Sequence, residues 1–422
     1  MTESLTHPRK PSLRREIAAA AVLAVCAVLL EATLEHTRFA HQLSFASNRL
    51  FQEGLTSSRR PPVAVVDISD LQPEKVAGRE KPVTPRRTIR NLIVAVAHHD
   101  PRAIGVDVDL NPDPGTPLSK EDRELFDDCL NISQASGIPI ALGVDATVGG
   151  KPADWLGAPE YRALAAAMRI PDDTRRMPRA IGAEEAPETL PSLSAAVAAS
   201  HGEGSDPERH GGFWSALRSW LVRAHIIRQF FAHQEHGLTF DEYLVDYGTL
   251  ESIFTVRTIA PDVLKDRAFR EPFEGRIVLL GKIAEATDRF PVPGRERQSA
   301  GVMLHASGAA TLAGDPLYDV TPLGGIVLSF LLICAVLTPV LIIRAIAHRR
   351  GKTLWIAPRV QGVLVVIATV VAFVCCGYIV RATHIMWDGF FLAFFALAFH
   401  QPVEDLLHIL HVMFKAAMGA EE

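Results

Sequence analysis

At 422 residues, with 28 prolines and 29 glycines, the chain is long enough for two or three soluble domains, but its hydrophobicity is gathered into a few runs that remove that freedom. A net charge of −5 and no sustained basic stripe exclude nucleic acid or another polyanion as an expected partner. Four of the five cysteines (Cys26, Cys334, Cys375, Cys376) sit in apolar runs and Cys129 stands alone in the polar part, which excludes a disulfide framework and a Cys/His zinc pattern there.

Residues 1–16 carry Arg9, Lys10, Arg14 and Arg15 and read as a cytoplasmic segment. The apolar stretch that follows is about 14 residues long, short for a full span. Glu31-Ala-Thr-Leu-Glu-His offers no clear small-x-small cleavage site after it, so 17–37 is read as an uncleaved anchor helix rather than a signal peptide.

Residues 38–320 form the polar block. Pro62-Val-Ala-Val-Val-Asp67-Ile is β-branched after a Pro-Pro break and predicts a buried strand. Residues 85–98 predict a helix with Ile89, Leu92, Ile93 and Val96 on one face, and Ala103-Ile-Gly-Val-Asp107-Val-Asp109-Leu a second strand, closed by Asn111-Pro-Asp-Pro-Gly. The pattern continues with a helix over 121–136, a strand over 138–144, a short helix over 193–199, a strand over 275–281 and a helix over 301–312. Strands alternating with helices predict an α/β fold: a largely parallel sheet with helices on both faces, joined here to about four transmembrane helices.

Between about 149 and 238 the periodicity fades into Pro, Gly, Ala and charge, and 201–212 reads as a loop. The exception is 213–231, where Trp214, Leu217, Trp220, Leu221, Ile227 and Phe231 stand beside Arg218, Arg223 and Arg228 as one basic amphipathic helix. Packing on its own sheet is the commoner fate of such a helix; a membrane surface or another subunit is the alternative, with Trp214, Trp220 and Phe231 as the interaction surface.

Apolar runs at 323–343 and 360–380 each match the bilayer core in length, and Arg344, Arg349, Arg350, Lys352 and Arg359 place the loop between them in the cytoplasm. Residues 385–401 form a shorter run with Phe390, Phe391, Phe394 and Phe395 on it. In the tail, 402–422, Leu406 and Leu410 lie on one face of an amphipathic segment, a self-packing helix or a second interaction surface. The topology has both termini in the cytoplasm and the polar block on the other side of the membrane.

Catalysis is not expected, and no catalytic residue, metal ligand set or cofactor is assigned. Asp67-Ile-Ser69 follows a strand as a phosphatase nucleophile loop does, but a serine stands where the second acid is needed. His98 and His99 point about 100° apart on a helix and do not share an ion readily. No glycine-rich phosphate loop or nucleophile elbow is present. Asp67, Asp107 and Asp109 fall near strand ends, where ligands of such sheets gather and where aspartate also serves as an ordinary cap.

In order along the chain, the strand at 63–67, Pro85-Arg86, Ala103-Ile-Gly-Val-Asp107-Val, the stretch 173–178, residues 276–281, Asp288-Arg-Phe-Pro291 and Gly301-Val-Met-Leu-His305-Ala resemble the type-two CHASE domain, a sensory extracellular domain associated with cyclases and histidine kinases. The resemblance covers roughly 45–318 and extends to the layout, with one span before the domain and about three after. It departs at Pro82-Val-Thr-Pro-Arg86, where the family carries tryptophans, and at Ser69, where an acid is common. The matched polar positions Asp67, Arg86, Asp107, Asp288 and His305 are the candidate ligand-binding residues that the resemblance implies.

The resemblance further implies a sensory subunit. The stretch after 399 is too short for a fused catalytic core, so the expectation is signalling through a separate effector in trans, within a homo- or hetero-oligomer in the lipid bilayer. The alternative is an architectural subunit of an envelope complex whose external domain is a protein contact surface.

Overall fold

Runs that are apolar at every position cannot leave either strand face in water, so they belong inside a sheet covered on both sides. The computed structural model describes residues 63–331, with gaps at 75–82, 113–116, 146–155, 157, 184–188, 200–212, 236–237, 287, 294, 296, 315–316 and 329, together with 374 and 377–386. In chain order the elements that matter are β1 (Val63–Asp67), α1 (Arg86–Ala97), β2 (Ala103–Asp107), α2 (Lys120–Ser136), β3 (Ile140–Val144), β4 (Ala165–Ala167), β5 (Arg176–Ala183), β6 (Thr189–Pro191), α3 (Leu193–Ala198), α4 (Phe213–Arg223), β7 (Ile227–Arg228), β8 (Phe230–Glu235), β9 (Leu238–Leu244), β10 (Phe254–Arg257), β11 (Ile277–Gly281) and α5 (Gly301–Ala313).

Six of these strands form one sheet in the order β10-β1-β11-β2-β3-β4, and every pairing in it is parallel. Side chains alternate between two clusters. Ala64, Val66, Ile104, Val106, Val278 and Leu280 pack against Ile89, Leu92 and Ile93 of α1 and Leu125 and Phe126 of α2. Val63, Val65, Ala103, Ile277 and Leu279 face the other way, onto Leu193 and Val197 of α3 and Val302, Ala306 and Ala309 of α5. Each large aliphatic side chain buried this way contributes roughly 1.5–3 kcal/mol. The α/β expectation holds for this sheet.

The boundaries have local causes. Ser119 and Asp122 form a reciprocal capping box at the start of α2, and Gly137 ends it in the left-handed region at φ 71°. Cys129 is buried in the core on α2, where desolvation pushes its thiol up to about 12.

The stretch without clear periodicity holds a four-stranded antiparallel sheet, β6-β5-β9-β8, with an irregular register between Pro178 and Ala180. This corrects the single helix expected over 213–231. The helix α4 stops at Arg223, His225 turns the chain at φ 56°, and the rest is extended in β7 and β8. Phe231 is therefore a strand residue with the Arg176 guanidinium 3.9 Å over its ring, while Arg179 covers Phe230 at 4.3 Å. Pairing with β9 satisfies the backbone that a helix would otherwise have satisfied locally, so tertiary context overrides the periodicity here.

By internal packing the chain divides into two units, one of 48–220 with 228–319 and one of 1–47, 221–227 and 320–422. Both sheets above belong to the first. In the second, Thr321 donates its N–H to the Ile226 carbonyl at 2.9 Å and its hydroxyl to the His225 carbonyl at 2.8 Å.

Among the described residues no helix is long and apolar enough to cross a membrane. The expected span at 17–37 and most of those at 323–343, 360–380 and 385–401 lie outside the described residues, as do Leu406 and Leu410. One boundary is corrected: Ile385–Met386 is a short strand after His384 at φ 56°, so no helix starts at 385.

Candidate functional site

Register alone places three residues in a row at the carboxyl edge of the parallel sheet. Asp67 pairs with Gly281, and Gly281 with Asp107, on adjacent strands β1, β11 and β2. The alternation that sends Val63, Val65, Ala103 and Leu279 toward α5 sends these three the same way. The chain leaves β1 for α1 on one face and leaves the neighbouring β11 for α5 on the other, the switch point at which open α/β sheets hold ligands.

Gly281 makes the row possible: a Cβ there would lie 2.6 Å from Val302 Cγ2 and 3.0 Å from Asp107 Cβ. Asp107 ends β2 with its side chain only 10% exposed. Burial, with the nearby Asp288 carboxylate adding to it, pushes Asp107 up to about 8. Asp288 is itself raised by burial, although it accepts the Gly301 N–H at 3.0 Å and so caps α5 from a distant loop. A Cβ on Gly301 would lie 2.8 Å from both Asp288 oxygens, so this cap requires glycine.

His305, fully buried in the second turn of α5, completes the cluster. Its Nε2 lies 3.1 Å from the Met168 carbonyl, which can only accept and so assigns a proton to Nε2, and its Nδ1 lies 3.2 Å from Ser194 Oγ, whose hydroxyl donates to the His305 carbonyl at 3.1 Å. Burial pushes the imidazole down to about 4. Asp107 Oδ1 is 3.8 Å from Nε2, beyond hydrogen-bond range. Burial thus disfavours the charged form of both members of this close pair.

Asp67 sits in the same row but is occupied. Its Oδ1 accepts the Ser69 N–H and the Ile283 N–H, both at 3.0 Å, and the Ser69 hydroxyl donates to it as well. Ser69 Oγ in turn accepts from Ala284 N at 2.8 Å, so Asp67 and Ser69 together tie the loop after β1 to the loop after β11. Beside them Asp70 is held below the usual carboxylate range by its hydrogen bond to Arg257.

Arg86 does not join this group. It lies buried at the start of α1, donates from Nε to Asp122 Oδ1 at 2.8 Å and from Nη2 to the Leu110 carbonyl at 3.2 Å, and so bolts α1 to the cap of α2. Desolvation works against the Asp122 charge, but Arg86 and Ser119 hold it below the usual range. Nearby Asp109 is raised by burial while accepting from Asn111 and Asp145 backbone N–H groups. His99 sits against the Leu264 carbonyl at 2.5 Å, a structural contact. Among the described residues no group of three or more His, Cys, Asp or Glu is arranged to hold a metal.

Three of the five sequence candidates therefore converge (Asp107, Asp288, His305), one neighbours them in a structural role (Asp67), and one is elsewhere (Arg86). Sequence reasoning missed Gly281, Ser194 and Asp122. The Ser119-x-x-Asp122 spacing is a readable capping signal; Ser194 carries none, because its role comes from a residue 111 positions away. Of the surface candidates, Trp220 is 54% exposed, whereas Phe231 is partly buried.

Compared with known families, the chain matches the CHASE2 domain over residues 18–339. No curated protein and no solved structure matches it.

Proposed function

This chain belongs to the CHASE2 domain family, a family of sensory extracellular domains, and on that premise we propose that it is a membrane-anchored sensory subunit acting on a separate effector. In this reading the domain lies on the periplasmic side of a bacterial inner membrane, a ligand is received at the carboxyl edge of the parallel sheet, and the effector is reached through the membrane segments.

The observation that carries it is the Asp107–His305–Asp288 cluster at the switch point beside Gly281. Sealed groups poised between charge states respond steeply to a nearby charge or to a change of burial. A ligand shifts the domain between two arrangements only by its differential affinity for them, and ionisation of Asp107 is one way to create that difference. The role is read as binding and not catalysis, because Asp67 Oδ1 is engaged by Ser69 and Ile283 and the serine supplies no second carboxylate.

The test is isolation of the tagged full chain from membranes in mild detergent. A stoichiometric effector is expected, together with a changed effector output and an intact complex in Asp107→Asn. Repeated recovery of the chain alone, with neither effector nor a second copy, overturns the reading.

A second reading, an architectural subunit of an envelope complex, is favoured by the exposed aromatics of α4. It requires that Trp220→Glu disrupt assembly while Asp107→Asn does not.

A further inference from the structure

An exposed helix in water normally turns its polar side outward. The helix α4 does not. Its outward stripe, at the spacing of one helical face, is Phe213, Ala216, Trp220 and Arg223, with Phe213 72% and Trp220 54% exposed, and Leu221 is its one buried side chain among the described residues. Two large aromatics on one exposed stripe with an arginine at its end is the composition of the membrane interface, where amphipathic rings sit at headgroup depth and arginine reaches phosphate.

A second observation says where this helix stands along the chain's path. Arg218 lies 5.1 Å over the Tyr318 ring. Just past α4, the His225 and Ile226 carbonyls accept from Thr321, and a Cβ on Gly324 would lie 2.1 Å from the Ile226 oxygen, so that glycine lets the turn sit against the chain. Each contact ties α4 or its following turn to 318–324, where the apolar run at 323–343 begins, and Leu323 and Ile326 at its start are 66% and 44% exposed. A helix fastened where the chain enters the bilayer has its aromatic stripe within reach of the lipid.

We propose that α4 is an interfacial helix that lies in the headgroup region of the outer leaflet, with Phe213, Ala216 and Trp220 in the lipid and Arg223 at anionic phosphates. The proposal rests on the reading of 323–343 as a span.

The test places a benzophenone photo-crosslinker at position 213, 220 or, as a control exposed on α1, 94 of the full chain in its native membrane. Phospholipid adducts at 213 and 220 about tenfold above 94 are expected, with a severalfold loss when Arg223→Glu is added. A protein adduct at 220, or no adduct above the control in a chain that resists alkaline carbonate extraction, overturns the proposal alone. A chain that carbonate extracts overturns the anchoring reading, and this proposal with it.

Discussion

Two buried acid–base pairs lie near the carboxyl edge of the same sheet, on opposite faces, and solve the cost of burial in opposite ways. Arg86 and Asp122 meet at 2.8 Å and share further hydrogen bonds with Leu110 and Ser119, which hold the Asp122 carboxyl below its usual range against desolvation. Asp107 and His305 stand 3.8 Å apart, and burial drives both toward their neutral forms. An ion pair survives desolvation only when geometry is close and the remaining polar atoms are satisfied. The first pair has the close geometry and all but one of those contacts, Arg86 Nη1 alone being buried without a partner, and is a bolt. The second does not meet that condition, and so keeps a proton that its surroundings can move.

The largest expected effect breaks the bolt. Arg86→Met leaves the Asp122 carboxylate buried without its cation and should cost about 3–5 kcal/mol of stability in denaturant unfolding of the full chain. A loss below about 1 kcal/mol would show that water reaches Asp122 and that the two pairs are less different than their geometry indicates.

The next effect reads the proton. Asp107 has its folded value raised from 3.8 to about 8, so the stability it contributes is complete below 3.8 and is lost as pH rises through 8. His305 has its folded value lowered from 6.5 to about 4, so its contribution is present above 6.5 and is lost as pH falls through 4. Between about 4 and 6.5 the two slopes oppose and largely cancel; between 6.5 and 8 only Asp107 acts, and stability should fall by about 2 kcal/mol. Thermal unfolding against pH should show that fall, and Asp107→Asn should flatten it. A profile that stays sloped in the variant would assign the proton to another group.

The smallest effect concerns the residue that holds the row in place. Ser69→Ala removes the acceptor of the Ala284 N–H and one donor to Asp67, while Asp67 keeps the Ile283 and Ser69 N–H groups, so a cost of about 1 kcal/mol is expected. The pH profile between 6.5 and 8 should keep its shape. A change there would mean that the Asp67–Ser69 tie also sets the proton on Asp107.

The parallel sheet was legible because its signals are local. Val63–Asp67, Ala103–Asp107, Ile140–Val144 and Ile277–Gly281 are apolar runs bounded by breakers, α1 carries apolar positions at helical spacing, and α2 has its capping box beside it. The antiparallel sheet was not, because Arg176–Ala183 mixes arginine, proline and glycine and is a strand only through pairing with residues some sixty positions on. Phe231 shows the same limit: its apolar spacing fits a helix, and only its pairing with Glu242 and the guanidinium of Arg176 make it part of a strand.

By itself the sequence determined the α/β class, the strands that lie at the centre and the acids that end them, since burial on two faces and the turn preference of aspartate are written in composition and spacing. Only the tertiary structure decided what surrounds each polar residue at those ends. Asp67, Asp107 and Arg86 look alike as polar residues at element ends, and what separates them is contact across more than thirty residues of chain: Asp67 with Ile283, Arg86 with Asp122, Asp107 with His305. Desolvation and hydrogen bonding act through space, so a residue's charge state is a property of the fold that closes over it.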